Sequence, residues 1–370
     1  MAKKGKRRDP KMNQKNHNYG LPTILSGIGL SAVYAAGKAT HAIPQEIIDL
    51  LGFSSLSIVS LGLDMLLFPE QAKKPKQIDL ADRIKISLHN HSEFSDYSTN
   101  YSKIPVLLRE AFKQLTSAEK PGVLAITDTS NDFLYRNFPE ILSELSNKYA
   151  LDHYSDRLAI VRDRKTGNHL YLLHAIEFHE PEGHILGIGI NQQPKIYNSP
   201  IDNAKQVKEI DGIAIAAHPF AVAFGGCGKQ KLDELLEKEL IDAVEVHNSQ
   251  CVRLVPYLID AREYNKLAKQ YAAETGIPAI ATSDSRHPKD IATSLFCPDQ
   301  AEINFSSEEK FIASLKKAIS ESRFPKKYYE MNKEGYCSWL LFVRTLLILN
   351  QFGRRFLWRK KSKGELIQVP

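Results

Sequence analysis

His89 and His91 are separated by a single residue in the run Leu88-His89-Asn90-His91. In an extended strand, residues i and i+2 face the same way, so this pair aims two imidazoles at one point. That is a natural chelate for a transition metal. Further polar residues close or open apolar runs: Asp96, Asp128, Glu177, His184, His218, the Glu245/His247/Asn248 group, and Asp284 followed by Arg286 and His287. Carboxylates from neighbouring strands supply the negative charge a cation needs and can bridge two of them. Two cations about 3.5–4 Å apart clamp a phosphate and activate a water. A mixed His/Asp/Glu donor set suits zinc, manganese or iron better than magnesium or calcium alone. Any one of these residues reads as an ordinary surface or hydrogen-bonded side chain; the set at strand ends is what points to metal. An HNH nuclease reading of His89-Asn90-His91 does not fit, because that motif's residues are spread over a ββα unit.

The elements that must position this set follow from hydrophobic patterning. Strands are expected at 84–89, 123–128, 170–178, 184–190, 213–218, 243–247 and 279–284, and helices at 105–115, 138–150, 231–240, 255–274 and 308–320. Such alternation predicts a parallel α/β architecture. Seven strands with interleaved helices in about 250 residues predict a barrel, whose strand C-termini converge on the face where active sites lie. No Gly-rich phosphate loop and no internal repeat is present.

The motifs resemble those of the polymerase-and-histidinol-phosphatase (PHP) family of metallophosphoesterases over residues 78–300. LHNHSEFSDYS (88–98) resembles the family's L-H-x-H-S/T-x-x-S-D-G, GVLAITDTS (122–130) its A-I-T-D-H strand, and AIEF (175–178) its G-x-E. GHILGIGI (183–190) resembles H-x-L-G, IAAHPF (215–220) A-H-P, VEVHNS (244–249) the E-V/x-N element, and TSDSRHPKDI (282–291) S-D-A-H-x-P-x-D-I/L. The resemblance implies a distorted (β/α)7 barrel; the apolar pattern outside it adds N-terminal apolar helical segments and a C-terminal amphipathic helix to the expected fold. By motif position it implies one metal on His89, His91, Glu177 and Asp284, and a second on Glu177, His184 and His218, with Glu177 bridging. The family's third metal would need Asp96 and two histidines, but Thr129 and Arg286 stand at those places, with His287 displaced by one. The expectation is therefore two divalent transition metal ions, with Arg286 as phosphate clamp or as fixed counter-ion to Asp96. The alternatives are His287 swinging in as a ligand, or a decayed site. The proton for the leaving group would come from water or from His287.

The chain has 370 residues, 43% of them hydrophobic and 25% charged, which excludes a disordered tail protein, a collagen-like fibre and a disulfide mini-protein. Its net charge of +6 is unevenly spread: residues 1–20 carry seven basic side chains and one acid, residues 353–370 six and one, and the body between is acidic. Basic ends suit anionic lipid or nucleic acid; solubilising tails are the alternative. Cys227, Cys251, Cys297 and Cys337 have no metal-site spacing and read as reduced thiols.

Residues 21–37 carry no charge, and residues 50–68 are apolar except for Asp64. Basic residues flank the pair on both outer sides. This predicts a hairpin dipped into a membrane with both ends cytoplasmic, or else a buried helical pair. A signal peptide fits less well, since 20 residues precede the first apolar run and the second run would be unexplained. Residues 338–358 have Trp339 and Trp358 at their ends and Arg344 inside, followed by RKKSK, which suits a membrane-surface helix or a cover for a hydrophobic face. The expected domains are a basic tail (1–20), an apolar hairpin and candidate anchor (21–77), the metallophosphoesterase barrel (78–327) and an amphipathic basic segment (328–370).

These observations together predict a metal-dependent phosphoesterase acting on a phosphate mono- or diester at the cytoplasmic face of a membrane, or else free in the cytoplasm. The substrate would be a phosphorylated small molecule, a nucleotide or an oligonucleotide, with an anionic membrane surface as partner. The acidic body lacks the broad basic surface of a dedicated nucleic-acid binder. Two alternatives stand beside this reading. One is a metal-dependent amide or carbamate hydrolase, to which the G-x-E and H-x-L-G elements do not belong. The other is a catalytically degenerate, membrane-tethered binding module.

Overall fold

Alternation of apolar side chains along the strands sets the layering. Ile84, Ile86 and Leu88 are buried at a spacing of two, as are Ile213, Ile215 and Ala217. They share one core layer with Val123, Ala125, Leu186, Ile188 and Ile280. The intervening residues point the other way: Ala214, Ala216, Val244 and Ala281 join one outer layer and Leu124 and Leu172 another, each packed against helices.

The computed structural model describes residues 80, 82–95, 103–251, 253–255, 259–323 and 328–330, without the side chains of 223, 253–255, 259–260 and 328–330. The expected basic tail, the apolar segments 21–37 and 50–68, the stretch 338–358 and Asp96 lie outside the described residues. All described residues belong to one unit, Lys73–Leu347.

The strands are β1 (Ile86–Ser87), β2 (Gly122–Ala125), β3 (Tyr149–Tyr154), β4 (Leu158–Asp163), β5 (His169–Leu173), β6 (Ala175–Glu180) and β7 (Gly183–Ile188). They continue with β8 (Ile213–Ala216), β9 (Ala243–Asn248), β10 (Arg253–Val255), β11 (Ile259–Asp260), β12 (Ala279–Thr282), β13 (Ser294–Phe296) and β14 (Tyr328–Glu330). The helices are α1 (Ile104–Leu115), α2 (Phe133–Arg136), α3 (Phe138–Ser143), α4 (Pro200–Glu209), α5 (Gly228–Glu237), α6 (Arg262–Thr275) and α7 (Glu308–Ser320).

One sheet has the order β14-β13-β1-β2-β5-β4-β3, the other β12-β9-β8-β7-β6, and β10 pairs with β11. The fold is therefore mixed α/β. The expected all-parallel arrangement is corrected: β1/β2, β2/β5, β8/β9 and β9/β12 are parallel, but β7 runs antiparallel to both β6 and β8. In place of the expected distorted barrel, the described strands form two separate sheets, between which isolated bridges lie at Asn90–Ser285 and Thr129–Glu177.

The expected strand 170–178 breaks at His174, the single residue between β5 and β6, where the chain passes from one sheet to the other. His174 Nδ1 lies 2.7 Å from the Asp156 carbonyl and Nε2 3.3 Å from Asp132, and Tyr135 stacks on the ring at 4.3 Å. These contacts hold the bend. The expected helix 138–150 stops at Ser143, because Tyr149 is claimed by pairing with Asp163 and by stacking on Phe112. The expected helix 255–274 begins only at Arg262, since 253–255 and 259–260 pair as strands.

α7 matches expectation residue for residue. The Ser307 side chain accepts the Lys310 N–H, Glu308 and Glu309 occupy the first turn, and Lys317 the last. Its Phe311, Ile312, Leu315, Ala318 and Ile319 enter the inner core layer. Among the described residues no helix is long and apolar enough to cross a membrane.

Candidate metal centre

The inner core layer continues upward into a polar layer. On β6, β9 and β12 the inner apolar residues are Ala175, Ala243 and Ile280. Two residues further along each strand, the same parity carries Glu177, Glu245 and Thr282, all fully or almost fully buried. His184 opens β7; in the antiparallel register it faces His179, which brings it to the end of β6 where Glu177 lies. His218 and Asp284 follow β8 and β12 with positive φ, 28° and 45°. A non-glycine residue in this region costs about 1–3 kcal/mol. His218 breaks the alternation, coming directly after inward-facing Ala217, whereas Asp284 keeps the parity of Ile280 and Thr282.

Two buried donor groups result: His89, His91 and Asp284, and Glu177, His184 and His218, with one ligand atom of each residue within 4.8 Å of the others in its group. Glu177 joins them. Its Oε1 lies 3.5 Å from His89 Nε2, 3.0 Å from His184 Nδ1 and 3.6 Å from His218 Nε2, and its Oε2 is 3.6 Å from His91 Nε2. Asp284 Oδ1 lies 3.1 Å from His91 Nε2 and 3.5 Å from His89 Nε2. All six metal ligands expected from the sequence are thus brought together. His89 Nε2 and Glu177 Oε2 are buried and have no hydrogen-bond partner. Buried polar atoms are ordinarily paired, and these two face the other donors across the space a cation would fill.

The electrostatics make the same demand. Burial opposes the charge on Glu177, yet His184 and His89 outweigh it and hold the carboxyl well below its usual range. Asp284 is likewise held low against burial, by His89, His91 and Arg286. Burial opposes protonation of His89, but Asp284, Glu245 and Glu177 raise it well above the ordinary value. His91 is pushed down to about 4, by burial and then by Arg286. The carboxylates therefore require positive charge beside His89, and a metal ion supplies it while leaving both imidazoles neutral. The residues fit divalent cations by donor type, burial and charge.

The surroundings of Thr129 are hydroxyl-rich. The Ser95 hydroxyl sits 2.9 Å from His91 Nδ1 and 2.7 Å from the Thr129 hydroxyl, and accepts the Thr129 N–H at 3.0 Å. Asp128 accepts the Ser92 N–H at 2.6 Å and the Ser92 hydroxyl at 2.5 Å, and burial pushes it up to about 6 against those bonds. Arg286 lies 3.6 Å from Asp284 and 3.9 Å from Glu177. His287 is half-buried and its Nδ1 accepts the Lys289 N–H, capping the short turn Pro288–Asp290.

Sequence reasoning did not single out Gly225, and it named Glu245 as a strand-end residue without a role of its own. Gly225 adopts φ +85°, and a Cβ there would lie 1.9 Å from His184 Nε2. Its carbonyl accepts the His184 N–H at 2.8 Å. Only a glycine can press on the imidazole in this way, which leaves Nδ1 as the nitrogen facing Glu177. For Glu245 a signal existed: a carboxylate between two valines in Ala243-Val244-Glu245-Val246-His247 is buried if the strand is central.

No protein-family model matches the chain, and no curated protein matches its sequence. Solved structures show distant likeness. The lesion-specific endonuclease PfuEndoQ from Pyrococcus furiosus aligns at 16% identity and a TM-score of 0.40 over 64% of this chain and 56% of that one. The chain thus spans little more than half the length of that endonuclease. PsfC from Pseudomonas syringae aligns at 11% identity and 0.44 over 73% and 99%, and a candidate metal-dependent phosphoesterase from Bifidobacterium adolescentis at 14% and 0.36 over 62% and 95%. Likeness at this level assigns no activity; the donor set carries the functional reading.

Proposed function

We propose that the chain is a metal-dependent hydrolase of phosphate mono- or diesters. The observation that carries this is Glu177, one buried carboxylate within 3.6 Å of imidazole nitrogens from both donor groups, as the bridge between two cations must be. His89, His91 and Asp284 would hold one ion, His184 and His218 the other, and Glu177 both. When bound, such ions polarise a phosphoryl oxygen and lower the pKa of a water. The donor set suits zinc, manganese or iron.

Charge favours phosphate over amide. Glu177, Glu245 and Asp284 are buried against one nearby guanidinium, Arg286. Two divalent ions would turn this net negative centre positive, which suits an anionic phosphate. Arg286, in contact range of both ligand carboxylates, would take phosphate oxygens bidentately. His287 Nδ1 accepts a backbone N–H, so the ring's proton sits on Nε2; the leaving group would draw its proton from solvent or from that nitrogen. Thr129 and Arg286 in place of histidines support two metals rather than three.

In this reading β1, β2, β6, β7, β8, β9 and β12 make up a distorted seven-stranded barrel of which the two isolated bridges are the seams. The substrate is a phosphorylated small molecule, a nucleotide or an oligonucleotide. The apolar segments 21–37 and 50–68 and the basic ends support association with the cytoplasmic face of a membrane; flotation of the full chain with anionic vesicles tests that.

The first experiment is metal content of the purified protein by plasma mass spectrometry, with His89→Ala/His91→Ala as control, followed by a phosphoester screen. About two transition metals per chain, lost in the control, are expected from a shared-carboxylate pair. No metal after loading would overturn the hydrolase reading in favour of a degenerate binding module, and turnover of amides alone would overturn the phosphate assignment.

A further inference from the structure

Glu245 belongs to neither donor group, yet it touches a member of each. It is 1% exposed, on the inner face of β9. Its Oε1 lies 2.7 Å from His89 Nδ1 and accepts the Thr282 hydroxyl at 2.7 Å. Its Oε2 accepts the His218 backbone N–H at 2.8 Å and the Asn248 side-chain amide at 3.1 Å. The same amide nitrogen reaches Asp284 Oδ2 at 3.1 Å, and Asn248 Oδ1 accepts the Gln250 N–H, which fixes the amide's orientation. One carboxylate thus ties together His89 and Asp284 of the first group and His218 of the second.

We propose that Glu245 is a positioning residue that couples the two metal sites, holding His89 in the Nδ1–H tautomer and His218 through its main chain. This rests on the metal reading above. An imidazole that donates from Nδ1 keeps its lone pair on Nε2. In His89 that nitrogen points at Glu177 and Asp284 and has no hydrogen-bond partner. The role needs an acceptor at both oxygens. A backbone N–H and the oriented Asn248 amide can only donate to Oε2, and His89 ligates through Nε2 only while Oε1 accepts.

Glu245→Gln separates this role from packing, since it keeps the shape and converts one acceptor into a donor. With the new NH2 facing His218 and Asn248, donors collide. With it facing His89, the imidazole must take up its proton at Nε2 and can no longer ligate there. Metal affinity, read by competition with a chromophoric chelator, is expected to fall about 10–100-fold at both sites. The absorption spectrum of the cobalt-loaded protein is expected to change as well. Thr282→Val, which removes one donor and leaves the carboxylate, is expected to stay within about threefold.

A folded Glu245→Gln protein that binds two ions within about threefold of wild type overturns the proposal. Should that variant not fold, nitrogen-detected NMR of His89 in zinc-loaded wild type decides. A proton on Nδ1 with the metal on Nε2 supports the proposal, and the reverse overturns it. Wild type that binds no metal would instead defeat the metal reading itself, so the two failures are distinguishable.

Discussion

Gly225 and Gly276 form a matched pair that isolates the contact between the β8–α5 loop and His184. Both have positive φ, +85° and +68°, but a Cβ on Gly225 would meet His184 Nε2 at 1.9 Å, whereas one on Gly276 would meet nothing within 4 Å. Gly276→Ala therefore costs only the left-handed backbone, about 1–2 kcal/mol. Gly225→Ala carries the same cost and must also push the imidazole away by about 1.5 Å to reach ordinary contact distance. That disturbs the contact of His184 Nδ1 with Glu177, now 3.0 Å apart and buried. Burial holds His184 toward its neutral form, so the loss is that of a hydrogen bond to a carboxylate, about 1.5–3 kcal/mol more. For a domain of this size the difference is worth about 3–12 °C in melting temperature. Calorimetric scans of both chelator-treated variants, followed by metal content, are the assay. Gly225→Ala should melt well below Gly276→Ala and retain less metal, because a ligand displaced by much more than about 0.2 Å no longer coordinates well. Variants that melt within about 2 °C of each other would refute the claim that Gly225 sets the His184 position.

Three further outcomes are expected. The Asp128 carboxyl, raised by burial to about 6, holds a proton in the folded chain that the unfolded chain gives up near pH 4. Its contribution to stability is full below about pH 4 and declines between about 4 and 6, by up to about 3 kcal/mol. Asp128→Asn should flatten that slope in urea unfolding of chelated protein, and an unchanged slope would count against the assignment. Arg286→Ala should weaken inorganic phosphate binding to the metal-loaded protein about 10–100-fold by calorimetry; unaltered affinity would remove the clamp. Phe311→Ala, fully buried on α7 in the inner core layer, should cost about 3–5 kcal/mol while folded molecules keep their metal, and lost metal at low temperature would show that α7 also shapes the site.

Some of the fold was legible because its cause is local. α7 carries its cap, its acidic first turn and its apolar stripe within residues 307–320. The segment 138–150 has an equally helical pattern, but Tyr149 is bound to a partner strand and to Phe112, contacts that no local pattern contains. The run LYLLHAIEF is evenly apolar, and nothing in it marks His174 as the crossing between sheets. The six candidate metal donors were legible because they end or begin apolar runs. Arg286 was legible as a departure from a motif, while its position against Glu177 and Asp284 was not.

By itself the sequence determined the donor chemistry and the two-residue period that faces it to one side, since residue type and backbone alternation are properties of a few consecutive residues. Tertiary structure decided that β7 runs antiparallel, so that an imidazole at a strand's start meets a carboxylate near another strand's end. It also decided which nitrogen of each histidine faces the centre. His89 takes its far-side partner Glu245 from 156 residues away. A tautomer is chosen by the group on the far side of the ring, and only the folded chain brings that group there.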